Sequence, residues 1–294
     1  MIARERPGAL KLLFVWRGSI VARILPQFLG FAIYACLVVV VTAALGLDFS
    51  NAGVAPFALV GVTLSIYLSF RNSAAYERWW EARRLWGQLV AESRTLPRAT
   101  EALLPDPILR RRFLMYFLVF CHLLRGELRG LDARRDAGAF LMDPPQSPTE
   151  ALRRMGSDLA EARRAGILDL IGHRILEERL TALTFVETGC ERIASTPLPF
   201  AYTLLLHRTA YLFCLLLPFG LVASAGWATP LFTAFIAYTF FGLDRLSEEL
   251  EDPFGTEAND LALDSLCRTC EISILEALGD PTPRPLPPRD YYLS

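Results

Sequence analysis

Between Ile24 and Gly46 no residue carries a charge, and the run is close to the roughly 20 residues a helix needs to cross the hydrocarbon core of a bilayer. Such a run must be buried in protein or in lipid. Three further apolar stretches follow it: Ala55–Phe70, Phe200–Ala225 (interrupted by His207, Arg208 and Pro218) and Trp227–Leu243. The hydrophobic content of 53% and the mean hydropathy of +0.32 are high for a soluble globular chain and favour lipid. Four membrane-spanning helices are therefore expected, the second of them short, with its inner end inside protein.

The charges are sorted by position. Residues 1–23 carry Arg4, Arg6, Lys11, Arg17 and Arg23 against Glu5 alone. With Phe14, Trp16 and Ile20 interleaved, they read as a juxtamembrane amphipathic segment, with a basic arm as the alternative. No small-residue cleavage site closes a short apolar run near the start, so a secretory signal is not expected. The links Leu47–Val54 and Ala225–Thr229 contain neither Lys nor Arg. The positive-inside rule then places both termini and the long insertion between the second and third spans in the cytoplasm.

That insertion, residues 71–196, is rich in Arg and repeats apolar residues at spacings of three and four. This period predicts helices over Ser73–Leu96, Pro107–Leu131, Pro148–Ala165 and Ile167–Ala194. FLMYFLVFCHLL from Phe113 is very apolar but too short to span, and reads as a buried core helix. After the fourth span, residues 244–279 comprise an acidic run (DRLSEELED), a PFG turn and a helix from about Thr256, a plausible N-cap, to Leu278. Residues 280–294 are Pro-rich, a disordered tail or an arm laid on a neighbouring subunit.

Within the second span, Val62, Ile66 and Phe70 are four apart and share one side of a helix, which runs on past Arg71 into NSAAYERWWEARRLWG. Such spacing suits ordinary core packing or a hydrophobic pore lining. Thr63, Ser65 and Ser69 add hydroxyls, which serve close helix packing or, for Thr63 and Ser69, a pore wall. No span carries enough polar residues to line a water path by itself, so a pore made by this chain has to be shared between copies around a rotation axis. The spans show no evident intramembrane charge pair or broken helix of the transporter kind.

Tyr76, Trp79, Trp80 and Trp86 read as packing between helices or as an interfacial belt; the neighbouring Glu residues argue against nucleic acid. Cysteines at 36, 121, 190, 214, 267 and 270 form no disulfide framework, and the lone Cys267-x-x-Cys270 lacks the second pair or nearby His that zinc requires. His207–Arg208 near the inner end of span three reads as snorkelling or pairing with an acidic neighbour. No nucleophile elbow, phosphate loop or acid–base pair is present, so neither an enzyme nor a cofactor is expected.

NSAAYERWWEARRLWG from Asn72, TPLPFAYTLLLHR from Thr196 and EDPFGTEANDL from Glu251 together resemble the bestrophin family, particularly its bacterial branch. The resemblance covers nearly the whole chain. It implies an all-α homopentamer in the bacterial inner membrane, with four transmembrane helices per subunit, a helical cytoplasmic domain and copies of the second span around a central pore. It places a pore neck on Val62, Ile66 and Phe70, and a cytoplasmic aperture on Leu198 between Pro197 and Pro199. The partners implied are other copies of the chain, the bilayer and monovalent ions, with a lean towards cations and anions as the alternative. Animal members hold calcium by a dense acidic run after the PFG turn. Here that run is thinned to Glu257 and Asp260, which read instead as carboxylates at the positive end of a helix. The alternative function is a membrane-anchored scaffold whose cytoplasmic helices bind a partner without conduction.

Overall fold

Apolar residues at helical spacing, closed off by Pro, Gly and short polar caps, make helices the only regular elements among the described residues. The computed structural model describes residues 1–2, 8–12, 15, 18–50 and 53–294. Arg4, Glu5, Arg6, Phe14, Trp16 and Arg17 of the N-terminal arm lie outside the described residues, as does Asn51 in the first link. The order is α1 (Ala9–Leu12), α2 (Val21–Leu45), α3 (Ala55–Leu103), α4 (Pro107–Arg129), α5 (Arg134–Ala137), α6 (Pro148–Arg164), α7 (Leu170–Ser195), α8 (Phe200–Ala225), α9 (Thr229–Glu251) and α10 (Leu263–Leu278). Val21–Leu45 and Phe200–Glu251 are long and apolar enough to cross a membrane.

Contacts divide the chain into two units. The first comprises Glu5–Trp79 and Pro197–Glu251, the second Met1–Arg4, Trp80–Thr196 and Asp252–Ser294. The 49-residue α3 contributes to both, because no Pro or Gly interrupts it near Trp79 and Trp80, where the units divide. In the first unit, α2 packs along α9 and α8, and α3 adds Leu64 and Leu68 to their shared core. Phe31, Tyr211 and Phe241 meet there, Phe31 stacked on Phe241 with ring centroids 5.5 Å apart. Tyr202 ties α8 to α3 by donating to the Tyr67 carbonyl at 3.1 Å. Gly220 leaves room for the Phe57 ring, which a Cβ at that position would meet at 2.3 Å.

The second unit is built on α4, whose Phe113, Leu114, Phe117, Leu118, Phe120 and Leu124 are buried, and on which α5, α6, α7 and α10 pack. The very apolar stretch from Phe113 is therefore a core helix. Asp106 caps it, accepting from the backbone of Ile108 and Leu109, and Pro107 opens its first turn. Ser147 and Asp169 cap α6 and α7 in the same way. Arg112 grips Asp158 with two hydrogen bonds, 2.8 and 2.6 Å, between α4 and α6. Burial pushes the thiols of Cys121 and Cys267 well above the ordinary range and that of Cys190 to about 12, so these cysteines are protonated packing groups.

One expectation needs correction. The helix after the PFG turn starts at Leu263, not Thr256, with Ala262 at its cap position and no side-chain cap. Residues 252–262 instead form turns, closed by Leu261 N–H donating to the Pro253 carbonyl at 2.9 Å. The acidic run lies on the same helix as the fourth apolar run, because α9 continues to Glu251. The last residues are tied to the chain's own start and to α10: Met1 and Leu293 exchange backbone hydrogen bonds of 2.7 and 2.8 Å, and Ser265 N–H donates to the Ser294 carbonyl at 2.9 Å. A proline-rich segment without regular structure of its own is held by pairing its end.

The turn that closes α4 leaves no space for a side chain at Gly126, where a Cβ would lie 2.5 Å from that of Ala133 and 2.9 Å from the Leu131 carbonyl. Gly126→Ala should cost about 1–3 kcal/mol through this crowding. The expected readout is a lower thermal midpoint by near-UV circular dichroism in detergent; an unchanged midpoint would mean that the turn opens freely.

Candidate functional site

The side of α3 that carries Val62, Ile66 and Phe70 faces away from the core of its unit. These three are 60%, 51% and 64% exposed, whereas Leu64 and Leu68 on the opposite side are 2% and 1% exposed. A helix apolar on both sides with only one side covered presents a face that must meet lipid, another copy, or a pore. Thr63 and Ser69 are exposed on the same stretch, and Thr63 donates its hydroxyl proton to the Leu59 carbonyl at 2.9 Å. Ser65 does likewise to Gly61 at 2.8 Å, as a packing residue would. Alongside runs an apolar groove of about 660 Å³ between α3, α8 and α9, whose wall includes Val62, Ile66, Phe57, Phe213 and Phe240.

Arg71 follows Phe70 but points the other way, at the spacing that continues Leu64 and Leu68 on the covered side. It is buried and makes an ion pair with the equally buried Asp244 of α9. Asp244 also meets His207 Nδ1 of α8 at 3.1 Å, and the His207 ring lies 4.7 Å from that of Tyr211. The pair joins the residues that immediately follow the second and fourth apolar runs, a contact that was not expected from the sequence. Its two members are 173 positions apart, on separate helices, and neither is conspicuous alone. One signal was available: Leu64, Leu68, Arg71 and Ala75 share a helical face, so an arginine on that face has to be buried and therefore paired.

Leu198 is half-buried in the extended link Pro197–Pro199. Its N–H donates to Glu251 Oε1 at 3.0 Å. Glu251 Oε2 faces Arg71 at 3.8 Å, and the Glu251 carbonyl, at the C-terminal end of α9, accepts from Arg78 Nε of α3 at 2.6 Å. Of the aromatic residues on α3, Trp86 is core, Tyr76 and Trp79 stack on each other, and Trp80 is exposed.

Glu257 and Asp260 do not sit at a helix start, as expected, but within the turns before α10. Asp260 is buried, and its Oδ2 accepts the Glu257 N–H at 2.6 Å. Protein donors occupy carbonyls of this loop. Its Phe254 and Leu261 carbonyls accept from Arg129 and its Thr256 carbonyl from Tyr292, so a guanidinium stands among the oxygens a dication would need. Among the described residues, no three His, Cys, Asp or Glu side chains are placed to hold a metal ion.

Comparison with known proteins gives one consistent result. The family model described as "Bacterial/Fungal Bestrophin protein" matches residues 1–276. The chain is 60% identical to the voltage-dependent anion channel-forming protein mll4386 of Mesorhizobium japonicum, over 100% of this chain and 97% of that protein. It is 42% identical to the voltage-dependent anion channel-forming protein YneE of Escherichia coli, over 100% of both. A crystal structure of a bacterial bestrophin homologue from Klebsiella pneumoniae superposes with a TM-score of 0.81 at 39% identity, covering 87% of this chain and 99% of that one.

Asp244→Ala leaves Arg71 buried without its nearest carboxylate and should cost about 3–5 kcal/mol, whereas Arg71→Leu with Asp244→Leu should cost far less. Thermal unfolding in detergent separates the cases. Equal losses in the single and double variants would show that the pair does not hold α3 in place.

Proposed function

Because the chain belongs to the bacterial and fungal bestrophin family, we propose that it is an ion channel, a homopentamer in the plasma membrane with four spans per subunit. The observation that carries this reading is the exposure of Val62, Ile66 and Phe70 on a helix whose other side is core. Copies arranged around an axis cover that side with one another, and the three positions become apolar rings. Such rings narrow a pore and close it by dewetting, with no charged gate. Thr63 and Ser69 add oxygen to the wall, and Leu198 forms a second constriction at the cytoplasmic mouth. The helices of residues 80–196 build a cytoplasmic vestibule. The hydrogen bonds between Met1 and Leu293 require both chain ends on one side of the membrane, in keeping with an even number of spans and with the positive-inside assignment.

The neck is uncharged and does not choose the sign of the ion. The relatives' names specify anions; the lean towards monovalent cations rests on resemblance alone. What Thr63 offers an ion is oxygen lone pairs, because its proton is held by Leu59.

Purified protein in planar bilayers tests the proposal. Wild type should give single-channel currents and Ile66→Ala a higher conductance, as a wider neck demands. A scaffold would give currents in neither. The reversal potential under a salt gradient reads the sign: a shift towards the chloride potential identifies an anion channel, one towards the sodium potential a cation channel.

A further inference from the structure

The two constrictions assigned above are joined by a single carboxylate. Between Pro197 and Pro199, which have no N–H, Leu198 carries the only backbone donor, and that donor goes to Glu251 Oε1 at 3.0 Å. The other oxygen of the same group lies 3.8 Å from Arg71 Nη2, and Arg71 immediately follows Phe70 on α3. The joint is stiff at each of its ends. Arg71 is buried and held by Asp244. The Glu251 backbone is held by Arg78, two turns further along α3 than Arg71. Leu198 itself sits in an extended segment whose φ angles are restricted by prolines on both sides. A turn of α3 that swings Phe70 must carry Arg71 with it, which pulls on Glu251 and so on the Leu198 backbone.

We propose that Glu251 is a positioning residue that couples the neck to the aperture, so that Phe70 and Leu198 open and close together and not as independent gates. The coupling rests on the channel reading above, and the link is reciprocal: a displacement of Leu198 acts back on α3 through the same carboxylate. Two nearby carboxylates are engaged elsewhere, Asp244 with Arg71 and His207, and Glu249 with Arg23.

A thermodynamic cycle on open probability, recorded from the full-length protein in planar bilayers, tests this. Ile66→Ala, Leu198→Ala and their combination are compared in three backgrounds: wild type, Glu251→Ala and Glu251→Gln. In wild type the combination should depart from the product of the single effects by roughly threefold or more, the mark of coupled positions. In Glu251→Ala the effects should multiply independently. Glu251→Gln keeps an acceptor for Leu198 but loses the attraction to Arg71, so it should lose most of the coupling; it also decides the case if Glu251→Ala fails to assemble by size-exclusion chromatography. Equal non-additivity in every background, or simple multiplication in wild type, overturns the proposal while leaving the channel reading standing. Currents absent from every protein, or a conductance unmoved by Ile66→Ala, overturn the channel reading and the coupling with it.

Discussion

An arginine without water must find a carboxylate, and in this protein that requirement sets the rotation of the longest helix. Arg71 is buried on α3 and reaches Asp244 on α9, with His207 of α8 on the other side of the same carboxylate. Turning α3 about its axis would leave a desolvated charge behind, a cost of several kcal/mol. With Arg71 inward, Leu64, Leu68 and Ala75 are inward too, and Val62, Ile66 and Phe70 are outward by helical geometry. The exposed apolar side thus follows from the placement of one charge.

Two helices show how little composition says about this outcome. The stretch of α4 from Phe113 is at least as apolar as the first half of α3, yet its side chains are buried because α6, α7 and α10 surround it within the same unit. The first half of α3 has α8 and α9 on one flank only. An apolar surface left open in the folded monomer is a demand for lipid or for other copies. The function proposed for it depends on that demand being met around an axis.

The ends of the chain illustrate the same dependence on distant partners. The proline-rich tail cannot form a ladder or a helix, but its last residues pair with Met1 and with the start of α10. Arg129 and Tyr292 together occupy the carbonyls of the turn before α10. The turn that follows PFG is thus held by a guanidinium and a phenol from elsewhere in the unit.

Local order was written in the residues themselves. The uncharged runs, the three-and-four spacing of 107–131 and 148–165, the caps at Asp106 and Ser147, and the common side of Val62, Ile66 and Phe70 all arise between near neighbours, where helical period alone decides. Only the tertiary structure decided which side of α3 is covered, that Asp244 belongs inside, that the helix after PFG waits until Leu263, and that Glu251 reaches Leu198. Each of these depends on groups between 50 and 180 positions apart or on a backbone that takes turns where a helix was open to it. Periodicity carries no record of such pairings, because a desolvated charge or a lone N–H is matched by whatever the packed chain brings within reach.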